Sequence, residues 1–205
     1  MTFDYPEGAT PLDPDTIQGL IPGLTTQGEL NEFEARNIAS ALQWALRSRT
    51  LKRDLLTSNG LTRLHERMFN ITWRWAGQFR KRETNIGVVP TQIPVALAAL
   101  CGDVAYQVEH QVFGWDELAV RFHHRLVLIH PFPNGNGRHA RLAADLLMHY
   151  QGLPMFSWGA RSITEGANTG GTLLTQSSDV RSAYLSALRQ ADRGDFEPLL
   201  AFVRT

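Results

Sequence analysis

Residues 129–141 read IHPFPNGNGRHAR. Pro131 and Pro133 remove helix donors, and Gly135 and Gly137 disfavour the helical backbone, so the stretch reads as a helix, a tight loop and a second helix. The loop delivers several backbone N–H groups to the start of that second helix. Unpaired donors there carry about half a positive charge and hold anions, phosphate above all. Gly135 and Gly137 let the backbone approach a ligand with no Cβ in the way. Arg138 in the first turn and Arg141 three residues on project from one side of the helix. Two guanidinium forks over such a terminus make a polyphosphate clamp. His130, at the opposite lip, carries an imidazole whose ordinary pKa of about 6.5 suits a general base near neutral pH. The plain alternative is an αα-hairpin turn with a capping Asn and two surface arginines. Six or more residues fitting one mechanism favour the site.

The elements that must position this loop read mostly as helix. Pro6, Pro11, Pro14 and Pro22 make residues 1–23 an extended surface arm. Thr26-Gln27-Gly28-Glu29 is a capping box, after which Leu30, Phe33, Ile38, Ala41, Leu42 and Ala45 recur at helical spacing to about Arg47. Leu61, Leu64, His65, Met68 and Phe69 mark a second helix, and Gly77 closes the Trp73–Arg80 stretch that follows. Residues 80–92, RKRETNIGVVPTQ, place β-branched residues around Asn85 and Gly87 and predict a short hairpin. Helices are predicted over Ile93–Val112, with Pro94 in its first turn, then Asp116–Ile129, Asn136–Tyr150, Val180–Ala191 and Phe196–Val203. Residues 152–175 are rich in loop formers. There is no internal repeat and no low-complexity tract.

Composition bounds the rest. The 205 residues are 43% hydrophobic and 20% charged, which suits one globular domain. Twenty Lys and Arg balance twenty Asp and Glu, which argues against a chain built to coat nucleic acid or an anionic membrane. The charge is in blocks: residues 1–46 are net −6, 47–82 net +8, 83–120 net −5 and 121–205 net +3. An acidic N-terminal part, residues 1–48, is therefore expected to pack on the remaining domain, 49–205. Eighteen of the twenty bases are Arg, as a GC-rich genome alone would also produce. One cysteine, Cys101, excludes an internal disulfide and fits a reducing compartment. No apolar run is long enough to span a bilayer and the N-terminus carries no targeting signal, so a cytoplasmic protein is expected.

The loop resembles the signature of the Fic (filamentation-induced-by-cAMP) family, H-x-F-x-[D/E]-G-N-G-R-x-x-R. Here it stands as His130, Phe132, Asn134, Gly135, Asn136, Gly137, Arg138 and Arg141, matching seven of the eight fixed positions. Leu64-His65, Met68-Phe69, Ala76-Gly77, Phe79-Arg80, Tyr184, Ala187-Leu188, Gly194-Asp195 and Pro198-Leu199 look like further family segments. The chain also resembles the mobile mystery protein B subgroup, which is associated with mobile elements.

The resemblance implies an all-α Fic-type helical domain with a small β-hairpin flap, and a protein nucleotidyltransferase. Such enzymes move a nucleotidyl group, commonly AMP from ATP, to a Ser, Thr or Tyr hydroxyl of a target protein. By analogy His130 deprotonates the hydroxyl. Gly135, Asn136 and Gly137 form the anion hole, Arg138 holds the β-phosphate and Arg141 the γ-phosphate, while Phe132 anchors the loop. The flap, Thr84, Asn85, Ile86 and Gly87, aligns the target by strand addition. ATP or another NTP is the implied donor and Mg²⁺ or Mn²⁺ the implied cofactor. The family's acidic metal-binding position is Asn134 here, which predicts weaker metal binding or a changed reaction. Alternatives are removal of AMP, another transferred group, or a non-catalytic nucleotide-sensing module of a toxin–antitoxin-like pair. Restraint is expected either from an internal acid, Glu29 being the candidate, acting on Arg141, or from an antitoxin-like partner protein. Direct nucleic-acid and membrane partners are not expected.

Other residues take plainer readings. His123, His124, His130 and His139 do not share a face that suits zinc, and His123 or His124 is expected to support the loop by a hydrogen bond. Gly166–Gly171 (GANTGG) lacks the Lys-Ser/Thr ending of a P-loop and reads as a surface loop. Trp44, Trp73 and Trp75 read as core or groove wall, and Cys101 as inert.

Overall fold

The computed structural model describes residues 14–24, 26–160 and 179–205. The N-terminal arm up to residue 13, Thr25 and the 166–171 glycine loop lie outside the described residues. The helices are α1 (Pro14–Ile17), α2 (Gln27–Arg47), α3 (Arg49–Asp54), α4 (Ser58–Phe69), α5 (Ile93–Glu109), α6 (Trp115–Ile129), α7 (Asn136–Tyr150), α8 (Asp179–Ala191) and α9 (Glu197–Val203). A 3₁₀ turn at Pro90–Gln92 leads into α5. None of them is long and apolar enough to cross a membrane.

Local chemistry starts these helices where the sequence says it should. The Thr26 hydroxyl accepts from the Glu29 N–H, and the Glu29 carboxylate accepts from the Thr26 N–H. Ser48 and Thr57 cap α3 and α4 through Leu51 and Gly60 N–H groups. The short α3 was not legible from periodicity, because six residues show less than two turns of pattern.

Helices α6 and α7 pack along each other at the centre, with α2 and α4 against α7, α5 against α6, and α9 against α6 and α8. Leu118, Phe122, Leu126, Ala140, Ala143, Ala144, Leu146 and Leu147 fill the seam, all buried. The buried stripe of α2 is Leu30, Glu34, Asn37, Ala41 and Ala45. Phe33, Ile38 and Leu42, expected in that stripe, are half-buried beside it. Two polar residues thus sit in the stripe at core positions, and each has a partner. Asn37 bonds Arg67 O and Thr72 Oγ1, and Glu34 accepts from Trp73 Nε1 at 2.7 Å.

The expected β-hairpin is a correction. The described residues contain no strand, only a single bridge between Leu20 and Trp73. Two backbone donors at either end of the expected hairpin reach the end of α6 and the loop after it: Arg80 N–H to Pro131 O at 2.9 Å and Val88 N–H to Ile129 O at 3.3 Å. A hairpin ladder needs those same groups to face across the turn.

Candidate active site

Helix α6 stops at His130, whose φ of 52° is left-handed. The Arg80 side chain secures that end. Its Nε donates to His130 O at 2.6 Å, Nη1 to Arg82 O at 2.9 Å, and Nη2 to Val88 O and more distantly to Ile129 O. A guanidinium over the last carbonyls of a helix also meets the negative end of its dipole. Gly87 packs so tightly beneath this that a Cβ would stand 2.5 Å from Arg80 Nη2 and 2.8 Å from His130 Cβ. Gly87 of the flap therefore adjoins His130, while Thr84 Oγ1 donates to Ile86 O at 2.6 Å and the Ile86 side chain is exposed.

His130 is itself 5% exposed. Burial pushes its pKa down to about 4, opposed by a hydrogen bond with Val127 and reinforced by the Arg80 charge. At neutral pH the ring is uncharged and able to take a proton.

Phe132 anchors the loop, fully buried, which contributes about 2–3 kcal/mol. Asn136 closes the loop on it. Its Oδ1 accepts from Phe132 N–H at 2.9 Å, and its Nδ2 donates to Phe132 O at 2.8 Å. The Asn136 side chain is thus a loop clasp, and only its backbone N–H remains for an anion. Gly135 caps α7 at φ 78°, where a Cβ would stand 2.6 Å from the Phe69 ring. That position requires glycine for both conformation and space.

The two arginines lean on different neighbours. Arg138 pairs with Glu34 of α2 at 2.6 Å, reaches Asn134 Oδ1 at 3.2 Å, and lies over the Phe69 ring. Arg141, 8% exposed, lies over Tyr184 of α8. Glu29, the candidate inhibitory acid, is engaged in the capping box of α2, and the acid that meets a motif arginine is Glu34, five residues on.

Sequence reasoning gave no site role to Glu34, nor to Arg80 and His65, which it marked only as parts of family-like segments. The signal for Glu34 was a charge on the apolar stripe of α2. His65 of α4 reaches Asn134 O at 3.1 Å and stacks on Phe132 at 3.7 Å. The loop-supporting histidine is therefore His65 and neither His123 nor His124, which turn to Tyr184 and Asp192 at 2.9 and 2.8 Å. No group of three His, Cys, Asp or Glu among the described residues could hold a metal. Burial pushes the Cys101 thiol up to about 11, which keeps it unreactive.

A divalent cation fits this residue set poorly. Asn134 offers a neutral oxygen, already accepting from Gly135 N–H at 2.7 Å and from Arg138. A hard cation favours charged oxygens free of donors.

Comparison with known proteins agrees with this geometry. Residues 55–148 match the model of the Fic/DOC family. "Protein adenylyltransferase fic-1" of Caenorhabditis briggsae is 28% identical over 131 residues, 62% of this chain and 22% of that protein. The chain thus spans about a fifth of that relative's length. The "Uridine 5'-monophosphate transferase" of Xanthomonas campestris pv. campestris (strain 8004) is 51% identical over 41 residues, 20% of this chain and 8% of that protein. The fold is shared with the N-terminal Fic domain of a Bartonella quintana VirB-translocated Bep effector solved with bound ADP. The TM-score is 0.63 at 20% identity, covering 89% of this chain and 86% of that one. Residues 55–148, which hold the loop, both arginines and His65, are the part of the chain that is similar to the Fic/DOC family.

Proposed function

We propose that this chain is a protein nucleotidyltransferase that moves NMP from an NTP to a Ser, Thr or Tyr hydroxyl of a target protein. The observation that carries the reading is a buried, uncharged His130 beside a glycine-capped helix start bearing Arg138 and Arg141. His130 takes the hydroxyl proton as the oxygen attacks the α-phosphorus. The bond to the leaving phosphate breaks, and pyrophosphate departs with its charge held by the helix start and the arginines. The names of the adenylyltransferase relatives and the ADP-bound Bartonella domain support a nucleotide in this role. Phe132 and Asn136 keep the loop shaped for it. Gly87 packs against His130 and the Ile86 side chain is exposed, which supports the reading that the 84–87 segment presents the target hydroxyl.

A second reading concerns the transferred group. Asn134 replaces the family carboxylate, and the uridylyl-transferring relative matches over 41 residues, so UMP transfer or removal of AMP shares the same machinery. Restraint by an antitoxin-like partner in the cytoplasm belongs to this proposal. Intact-mass analysis after incubation with each NTP and Mg²⁺ or Mn²⁺ tests both readings. A nucleotide adduct absent from His130→Ala supports transfer and names the donor. Bound nucleotide without adduct, together with loss of AMP from a modified protein, favours removal.

A further inference from the structure

We propose that His65 is a positioning residue that sets the direction of the first anion-facing N–H group of the loop. The inference deepens the nucleotide-binding reading above and rests on it for its functional consequence. His65 is wholly buried, its ring stacked 3.7 Å from Phe132 at 15°. Gly77 N–H donates to its Nδ1 at 3.0 Å. An N–H group can only donate, so Nδ1 carries no proton and the single proton of the neutral ring is on Nε2. Nε2–H therefore donates to Asn134 O at 3.1 Å. Burial, the neighbouring His139 ring and the Arg138 charge push the His65 pKa well down, which keeps the ring neutral.

The consequence lies in the peptide bond. The Asn134–Gly135 peptide is planar and trans, so holding its carbonyl toward His65 turns the Gly135 N–H the opposite way. That N–H opens the start of α7, and it now rests on Asn134 Oδ1 at 2.7 Å. The same oxygen also meets Arg138. One neutral acceptor thus bridges two donors that a phosphate oxygen would take.

The other end of the ring is equally fixed. Gly77 has φ 77°, and a Cβ there would stand 2.9 Å from Glu66 Cβ of α4. Three residues on, Arg80 holds His130 O. The 77–80 elbow therefore references both halves of the site, the loop through His65 and the base through Arg80. A histidine serving packing alone would need neither bond to fall on these two places.

Two substitutions separate positioning from packing. In His65→Gln the amide N–H₂ reaches the place of Nε2 and keeps the Asn134 bond. In His65→Asn the amide oxygen reaches the place of Nδ1 and keeps only the Gly77 bond. Both lose ring stacking and are expected to lower the unfolding midpoint similarly. AMPPNP affinity by calorimetry is expected to fall about tenfold in His65→Asn, the worth of one such bond, and to stay near wild type in His65→Gln. Faster amide exchange at Gly135 in His65→Asn alone is the ligand-free readout. Equal losses in both variants, or none in His65→Asn, overturn the proposal. Should either variant fail to fold, the wild-type imidazole ¹⁵N spectrum decides: an Nε2–H tautomer supports it and an Nδ1–H tautomer overturns it. Wild type that does not bind AMPPNP defeats the nucleotide reading, while the exchange and tautomer results still judge His65.

Discussion

Replacing Asn136 by alanine strands two backbone groups at once. The Asn136 amide accepts from Phe132 N–H and donates to Phe132 O, and it is 3% exposed. Phe132 is fully buried, so water reaches neither group without the loop opening. Each stranded group costs about 1–3 kcal/mol, and partial opening of the loop recovers some of that, leaving a loss of about 2–4 kcal/mol. For a chain of this size the midpoint of thermal unfolding falls by about 5–15 °C. Urea unfolding followed by circular dichroism measures the loss directly. Asn136→Asp adds a sign. Its carboxylate still accepts from Phe132 N–H but turns a second oxygen toward Phe132 O, so it is destabilised at neutral pH. Protonation restores a donor, so its deficit relative to wild type shrinks as pH falls. An alanine variant that loses less than about 0.5 kcal/mol, or an Asp variant whose deficit is flat with pH, refutes the clasp.

Further outcomes are open to measurement. Glu34→Gln removes a buried negative charge from Arg138 and a strong acceptor from Trp73. It is expected to destabilise by about 1–3 kcal/mol while tightening AMPPNP binding, and weaker binding in calorimetry contradicts the assignment. Gly135→Ala meets both a positive φ and the Phe69 ring, and is expected to cost about 2–4 kcal/mol in urea unfolding. Four histidines, His65, His123, His130 and His139, are held uncharged by burial, with folded pKa values below the unfolded 6.5. Their stability is present above pH 6.5 and is lost as pH falls toward 4, since only the unfolded chain binds those protons. Asp145 acts oppositely: burial raises its pKa to about 7, so its contribution is present at pH 4 and is lost as pH rises to 7. Asp145→Asn is therefore expected to steepen the rise of stability between pH 4 and 7, and an unchanged slope counts against it.

Local sequence alone determined the helix–loop–helix at 129–141, the capping box at Thr26 and most helix bounds. Each of these follows from bonds or backbone preferences within a few residues. It also marked His130, Arg138 and Arg141, because a motif is local chemistry written in order. Tertiary structure decided which partners these residues meet. Glu34 lies 104 residues from Arg138, His65 lies 69 from Asn134, and Arg80 lies 50 from His130. No periodicity encodes such distances, and the pairs exist only because α2, α4 and the 77–80 elbow pack around α7. The flap shows the same division. Its β-branched residues favour strands locally, but its donors found closer acceptors at the end of α6, and non-local hydrogen bonding overrode propensity.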